Sequence, residues 1–360
     1  MNSSIVSIGL ANPGSPIGQL TIAGFMQTAH QLDEYEARKL KFLYKKSGIN
    51  SRFSVLTDFE KRDFNDYSFF PKSKNLEPFP STKARMEVFQ QHAGSLCELA
   101  VKDCLKNSEV KFTDITHLIL VSCTGMVAPG VELELMQRLG MSDTVERYCI
   151  HFMGCYAAFS GLKLADKIVR AEPEARVLVV TVELCTIHFQ KEYTEDNLLA
   201  NSLFADGAAV ALVMNSSKGL KIKSYLSQVL RKGENDMAWG IGDFGFEMRL
   251  SKYIPSLLDE GIQSLKSVFE EKFNFSKIPN FAIHPGGKQI LQKVQQAFGI
   301  SESANRHALE VLSNFGNMSS ATILFVLQRM LHDEQIVGEI LALGFGPGLT
   351  LETLHLEKHE

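Results

Sequence analysis

Two spacings of apolar residues alternate along the chain. ITHLILVSCTG (115–125), ARVLVVTVEL (175–184), AAVALVM (208–214), FAIH (281–284) and EILALGFG (339–346) are short, nearly continuous apolar runs rich in β-branched residues. Runs of this kind predict strands buried on both faces. Between them, KARMEVFQQHAGSLCELAVKDCL (83–105), YAAFSGLKLADKIVRAE (156–172), PSLLDEGIQSLKSVFEEKF (255–273) and NMSSATILFVLQRMLHDE (317–334) carry helical spacing. The alternation predicts an α/β protein with helices layered around largely buried sheets. The polar stretch NSSKG near 215–220 reads as a surface turn and divides the chain into halves, 1–217 and 218–360.

At 360 residues, with 45% hydrophobic and 22% charged side chains, the chain has enough apolar material for a substantial core and does not have the composition of a disordered protein. Lys plus Arg is 37 against 41 for Asp plus Glu, and a net charge of −4 indicates neither a nucleic-acid partner nor a polybasic membrane anchor. An anionic ligand would have to be held by a local patch. The opening MNSSIVSIGLANPGSP has no basic region ahead of a sustained apolar run, and no stretch of ~18 apolar residues follows, so the expected location is cytoplasmic.

The six cysteines, at 97, 104, 123, 149, 155 and 185, form no CxxC pair and no zinc-like spacing with histidine, which indicates neither a disulfide framework nor a metal site. Cys155 stands where the HFMGC segment gives way to a helix. Free N–H groups and the positive helix end there favour a thiolate, and Gly154 permits close approach of backbone or substrate. A buried structural thiol is the competing reading. His284, in FAIHPGGKQIL, ends a short strand at an abrupt turn, a good platform for a side chain that must reach a cavity. No other histidine has a motif around it: those at 30, 92, 117, 188, 307, 332, 355 and 359 read as exposed or nondescript, and His151 as structural. Asn317, in SNFGNMSSA, is a natural helix cap, and a chemical role requires its amide to face the same cavity as Cys155 and His284. ALGFGPGLTLETLHL has neither GK[ST] nor GxGxxG and reads as a hairpin turn or pocket wall, while Phe204 by type is core. The order Cys, His, Asn is also that of papain-like proteases, but their C-G-[SA]-C-[WY] signature is absent around Cys155.

GCYAA at Cys155, HPGG at His284, GNMSSA at Asn317 and GFGPGLTLET at 344–353 share their order and approximate spacing with one family. From about residue 5 to 355 the chain resembles type III polyketide synthases, the chalcone-synthase-like branch of the thiolase superfamily. The resemblance implies a thiolase-like layered αβαβα fold built from two related halves. It implies that Cys155 takes an acyl starter from CoA with His284 as ion-pair partner, and that malonyl-CoA binds with its thioester oxygen between His284 and Asn317. Decarboxylation then gives the carbanion that attacks the acyl group, without a cofactor or metal, in a homodimer. Repeated cycles would end in a pyrone, a resorcinol or a phloroglucinol-type ring.

The same resemblance assigns Phe204 as one of two gatekeepers between CoA tunnel and cavity, with Met248 at the second gatekeeper position. It puts Trp239 where plant members carry a small residue, and Ala128 where they carry a methionine that reaches the neighbouring subunit. Cys123, Gly346 and Pro347 join the pocket, Glu183 and Ser319 a polar network beneath it, and Lys39 and Lys46 the CoA phosphates, with Phe42 where another cation is expected. Three alternatives stay open: a single-condensation ketosynthase, a cysteine hydrolase and a non-catalytic scaffold.

Overall fold

The computed structural model of the chain describes residues 2–231, 237–250, 270–273 and 278–358. Five strands of the first half lie in the order Ser3–Ala11, Asp206–Asn215, Arg176–Leu184, His117–Ser122, Glu146–His151. Four of the second half lie in the order Leu220–Val229, Thr350–Lys358, Gly338–Gly346, Asn280–Ile283. The groups join into one nine-stranded sheet through two residue pairs, Ser4 with Lys221 and Ile5 with Leu220, a narrow seam between otherwise separate sheets.

The continuous apolar runs follow from this layering. In Arg176–Leu184, Val177 and Val179 enter one core with helix Ala157–Ala171, while Leu178, Val180 and Val182 enter a second core with helix Thr82–Leu105. A strand covered on both faces has few positions to spare for polar side chains. Helix Thr322–His332 is buried from Thr322 through Leu327 because it packs on Ser3–Ala11 and Asp206–Asn215 of one sheet and on Asn280–Ile283 of the other. It is therefore apolar almost all round.

The strands and helices expected from spacing appear close to their expected bounds, with one difference at residue 317. There a single 3-10 turn, Ser319–Ala321, precedes the helix proper. The helix expected at 255–273 lies, except for Glu270–Phe273, outside the described residues. Among the described residues no helix is long and apolar enough to cross a membrane.

Candidate active site

Residues 152–156 turn the chain from strand Glu146–His151 into helix Ala157–Ala171, with left-handed backbone at Phe152 (φ 58°) and Gly154 (φ 82°). Only glycine fits at 154, because a Cβ would lie 2.1 Å from Cδ of Pro347. Gly346 is equally confined: its Cβ would lie 2.7 Å from the Tyr156 ring and 3.3 Å from the Cys155 backbone nitrogen. The GFGPG segment is thus the hairpin connection of Gly338–Gly346 and Thr350–Lys358 and, at the same time, the wall behind the cysteine turn.

His284 follows strand Asn280–Ile283 directly; its backbone N–H donates to the Leu343 carbonyl (2.7 Å) and its carbonyl accepts from Gly286 N–H (2.9 Å), closing the HPGG turn. The side chain is only 2% exposed, yet neither ring nitrogen has a hydrogen-bond partner. Asn317 is anchored by its backbone to the Phe204 segment: its N–H donates to Leu203 O and its carbonyl accepts from Ala205 N–H, both at 2.9 Å. Its amide orientation follows from its partners. Oδ1 accepts from Ser319 N–H (2.9 Å) and the Thr322 hydroxyl (3.4 Å), so Nδ2 is the end that donates to Gly286 O (3.3 Å). An amide nitrogen carries two hydrogens, and the second is turned to the Cys155 sulfur.

Cys155, His284, Asn317 and Ser319 line one cavity of about 650 Å³. The cysteine turn, more than a hundred residues before the other two segments, therefore meets them, and Asn317 serves as turn cap and cavity donor together. Burial pushes the Cys155 thiol up to about 11, with hydrogen bonds from Ser319 and Asn317 pulling the other way, and pushes His284 down to about 3. Each charge alone is opposed by desolvation; only as an adjacent thiolate and imidazolium do they offset one another.

Cys123, Trp239, Met248, Phe204 and Pro347 line this cavity as expected, whereas Gly346 does not, acting as backing for the turn. A second cavity, of about 580 Å³, lies alongside and is walled by Ile22, Met26, Phe59, Phe189 and Phe246. Cys185, Phe204, Trp239 and Met248 border both. Phe204 and Met248 accordingly stand at a boundary, and Trp239 stands there with them, held by an Nε1–H bond to the Cys123 carbonyl (2.7 Å).

Ala128, Lys39 and Lys46 stand away from the two cavities, and the readings of Ser319 and His188 need correction. Ala128 is exposed and lines neither cavity of its own chain. Lys39 and Lys46 are exposed on helix Glu34–Lys46, outside both cavities; Lys39 is paired with Glu36 (2.9 Å), and the Lys46 ammonium lies 5.5 Å from the Phe42 ring centre. Ser319 faces the cavity, and it is Ser320 that donates to Glu183, which also accepts from Cys123 N–H (3.0 Å) and the Thr124 hydroxyl (2.8 Å). Burial raises Glu183 to about 7 despite these donors. Finally, His188 is neither exposed nor nondescript: it is buried, borders the second cavity, and bonds through both nitrogens. Its sequence context, CTIHF, continues the apolar strand before it, which was the available sign of burial. His117 and His307 are also buried, and His151 stays structural, with Nδ1 3.2 Å from the Ser122 carbonyl.

Residues 2–217 match the family described as chalcone and stilbene synthases, N-terminal domain, and residues 221–359 match its C-terminal domain. The chain belongs to the chalcone and stilbene synthase family. Its relatives within that family include Pks18 of Mycobacterium tuberculosis, described as alpha-pyrone synthesis polyketide synthase-like, which is 30% identical over 89% of this chain and 82% of its own length. Probable polyketide synthase 1 of Dictyostelium discoideum is 28% identical over 99% of this chain, which spans 11% of that protein's length. The crystal structure of the C-terminal type III polyketide synthase domain of Steely1, a type I/III hybrid from Dictyostelium, superposes with a TM-score of 0.91 at 27% identity, covering 100% of both chains. The chain is thus a chalcone-synthase-like, acyltransferase-type enzyme of the type III polyketide synthase family with the thiolase-like layered α/β fold.

Proposed function

We propose that the protein extends an acyl starter by iterative decarboxylative condensation of malonyl-CoA and cyclises the product, with an α-pyrone the best supported ring. The observation that carries this reading is the set of polar groups around one thiol: the two unpartnered ring nitrogens of His284 and the Asn317 amide border the cavity that holds Cys155.

In the first step the Cys155 proton passes to His284 and the sulfur attacks the thioester carbonyl of the starter; the C–S bond to CoA breaks and the CoA thiolate recovers the proton. Malonyl-CoA then enters with its thioester oxygen accepting from His284 and Asn317. Loss of carbon dioxide leaves an electron pair that becomes an enolate, and in this reading the two donors stabilise the oxyanion. The apolar wall of Phe204, Met248 and Trp239 disfavours the malonyl carboxylate and promotes its departure. The carbanion attacks the acyl–Cys155 carbonyl, the carbon–sulfur bond breaks, and Cys155 leaves as the thiolate, which takes the lengthened chain from its CoA thioester in the next cycle. No resident cofactor or metal enters this sequence. Two subunits, with the phosphate end of CoA met by Lys39 and Lys46, complete the proposal.

The pyrone assignment draws on Pks18, whose description names that product. Mass spectrometry of products from malonyl-CoA and a panel of short, long and aromatic acyl-CoAs, with Cys155→Ala alongside, tests the reading. Multi-unit pyrones that vanish in the variant support it. Free CoA alone, or one condensation only, returns the assignment to a hydrolase or a ketosynthase.

A further inference from the structure

Three of the six thiols, Cys123, Cys155 and Cys185, border the first cavity, and condensation uses only one of them. The other three stand elsewhere. Cys97 and Cys104 lie on helix Thr82–Leu105 in the core that also takes Leu178, Val180 and Val182, and Cys149 is exposed on strand Glu146–His151. The question is what the two further thiols beside Cys155 can do.

Cys123 is the one that touches the reactive turn. It follows strand His117–Ser122 directly, and its sulfur accepts the Gly154 N–H at 3.0 Å and lies 3.6 Å from the Gly154 carbonyl oxygen. That carbonyl belongs to the peptide that ends at the Cys155 nitrogen, so the Cys123 sulfur rests against the peptide that carries Cys155. Gly154 is held at φ 82° with the Pro347 ring behind it, and the turn thereby keeps Cys155 beside Cys123. Cys185 stands on a different segment, at the start of the 3-10 turn Cys185–His188, and borders the second cavity as well. Burial pushes the Cys123 thiol well above its ordinary range, with the Glu183 charge acting in the same direction. A thiol that stays protonated does not compete with Cys155 for a thioester, yet it remains at hand for a neighbour that has been oxidised.

We propose that Cys123 is a resolving thiol: hydroperoxides oxidise Cys155, and Cys123 captures the product as a reversible Cys123–Cys155 disulfide. The Cys155 thiolate, paired with protonated His284, attacks one peroxide oxygen. The oxygen–oxygen bond breaks, the sulfur becomes a sulfenic acid, and the departing hydroxide takes the His284 proton and leaves as water. Rotation of the Cys155 side chain about its Cα–Cβ bond then brings the sulfurs together. The Cys123 sulfur displaces the oxygen, which leaves as a second water with the Cys123 proton, and the sulfur–sulfur bond forms. Each sulfur has given up one electron, and the peroxide has become two waters. Without Cys123 the sulfenic acid goes on to a sulfinic acid, which thiol reductants do not reverse. The inference rests on the reading of Cys155 as a thiolate paired with His284, but its test reads disulfide formation rather than condensation.

Reduced protein, freed of reductant, is treated with hydrogen peroxide, its remaining thiols are blocked with N-ethylmaleimide, and peptide mapping assigns the oxidised sites. In the wild type the main product is a peptide pair joined through Cys123 and Cys155, and dithiothreitol returns starter transfer to nearly its untreated level. Cys185→Ser gives the same pair. In Cys123→Ser, which keeps a hydroxyl to accept the Gly154 N–H, Cys155 accumulates as the sulfinic acid, and the share of starter transfer recovered by reductant falls by about tenfold. Sulfinic Cys155 as the main wild-type product, a pair joined through Cys185, or equal recovery in Cys123→Ser and wild type overturns the proposal. The wild-type and Cys185→Ser maps decide the matter if Cys123→Ser does not fold. Failure of the parent reading shows separately, as absent acylation of Cys155 by acyl-CoA before any peroxide is added.

Discussion

Asn317→Asp replaces one amide nitrogen with oxygen and leaves the rest of the site in place. The Oδ1 that accepts from Ser319 N–H and the Thr322 hydroxyl is retained, so the turn into helix Thr322–His332 keeps its cap. What disappears is Nδ2, with its bond to Gly286 O and the second hydrogen that it turns to the Cys155 sulfur. If that hydrogen meets the enolate oxygen, its loss costs about 3–4 kcal/mol of transition-state stabilisation, roughly 10²–10³ in kcat, before any repulsion from a carboxylate is added. Asn317→Ala removes the cap as well, at about 1 kcal/mol. With an unfolding entropy of ~2.1 cal/mol/K per residue over 360 residues, that lowers Tm by only about 1 °C. Two assays separate the roles: intact-protein mass spectrometry for acylation of Cys155, and product formation for condensation. Asn317→Asp should acylate and fail to condense. Condensation within about tenfold of wild type, or acylation lost as completely as condensation, would refute the assignment of the amide as an oxyanion donor.

Cys155→Ala should abolish starter transfer while leaving the melting temperature nearly unchanged, and intact mass after incubation with acyl-CoA reads both the loss and any acylation elsewhere. Gly154→Ala forces a side chain into left-handed backbone and into the Pro347 ring, together about 2–5 kcal/mol, and the double variant with Pro347→Ala should recover the steric part; a melt series showing strict additivity would contradict the contact. Glu183 sits at about 7, above its ordinary 4.5, so folding favours its neutral form: its contribution to stability is full below about 4.5 and is lost as pH rises through 7. The stability difference between Glu183→Gln and wild type should therefore move in favour of the variant by up to about 3 kcal/mol between pH 5 and 8.5, and a pH-independent difference in Tm would refute it.

Much of this architecture is legible in the sequence because it rests on local causes. A run as apolar as ARVLVVTVEL, interrupted only by Arg176, Thr181 and Glu183, has few destinations other than a doubly covered strand, and HPGG can only turn. The meeting of Cys155, His284 and Asn317 followed from family motifs, since no spacing rule joins residues so far apart. His188 shows what local reading leaves out. Its importance comes from the Thr124 carbonyl and the Phe246 N–H, brought to it by two different loops, and nothing within CTIHF announces either. Ser319 and Ser320 exchanged roles for a similar reason: with φ of 47° at Ser319, the turn points neighbouring hydroxyls in opposite directions, one to the cavity and one to Glu183.

The two unpartnered nitrogens of His284 carry a thermodynamic debt of about 1–3 kcal/mol each, because a buried polar atom without a partner forfeits its hydration. A thioester oxygen that supplies one missing bond completes the interior of the folded chain as well as starting a reaction. Occupancy and rigidity are therefore coupled: the loaded enzyme is the better-made protein, and every turnover returns it to a looser one.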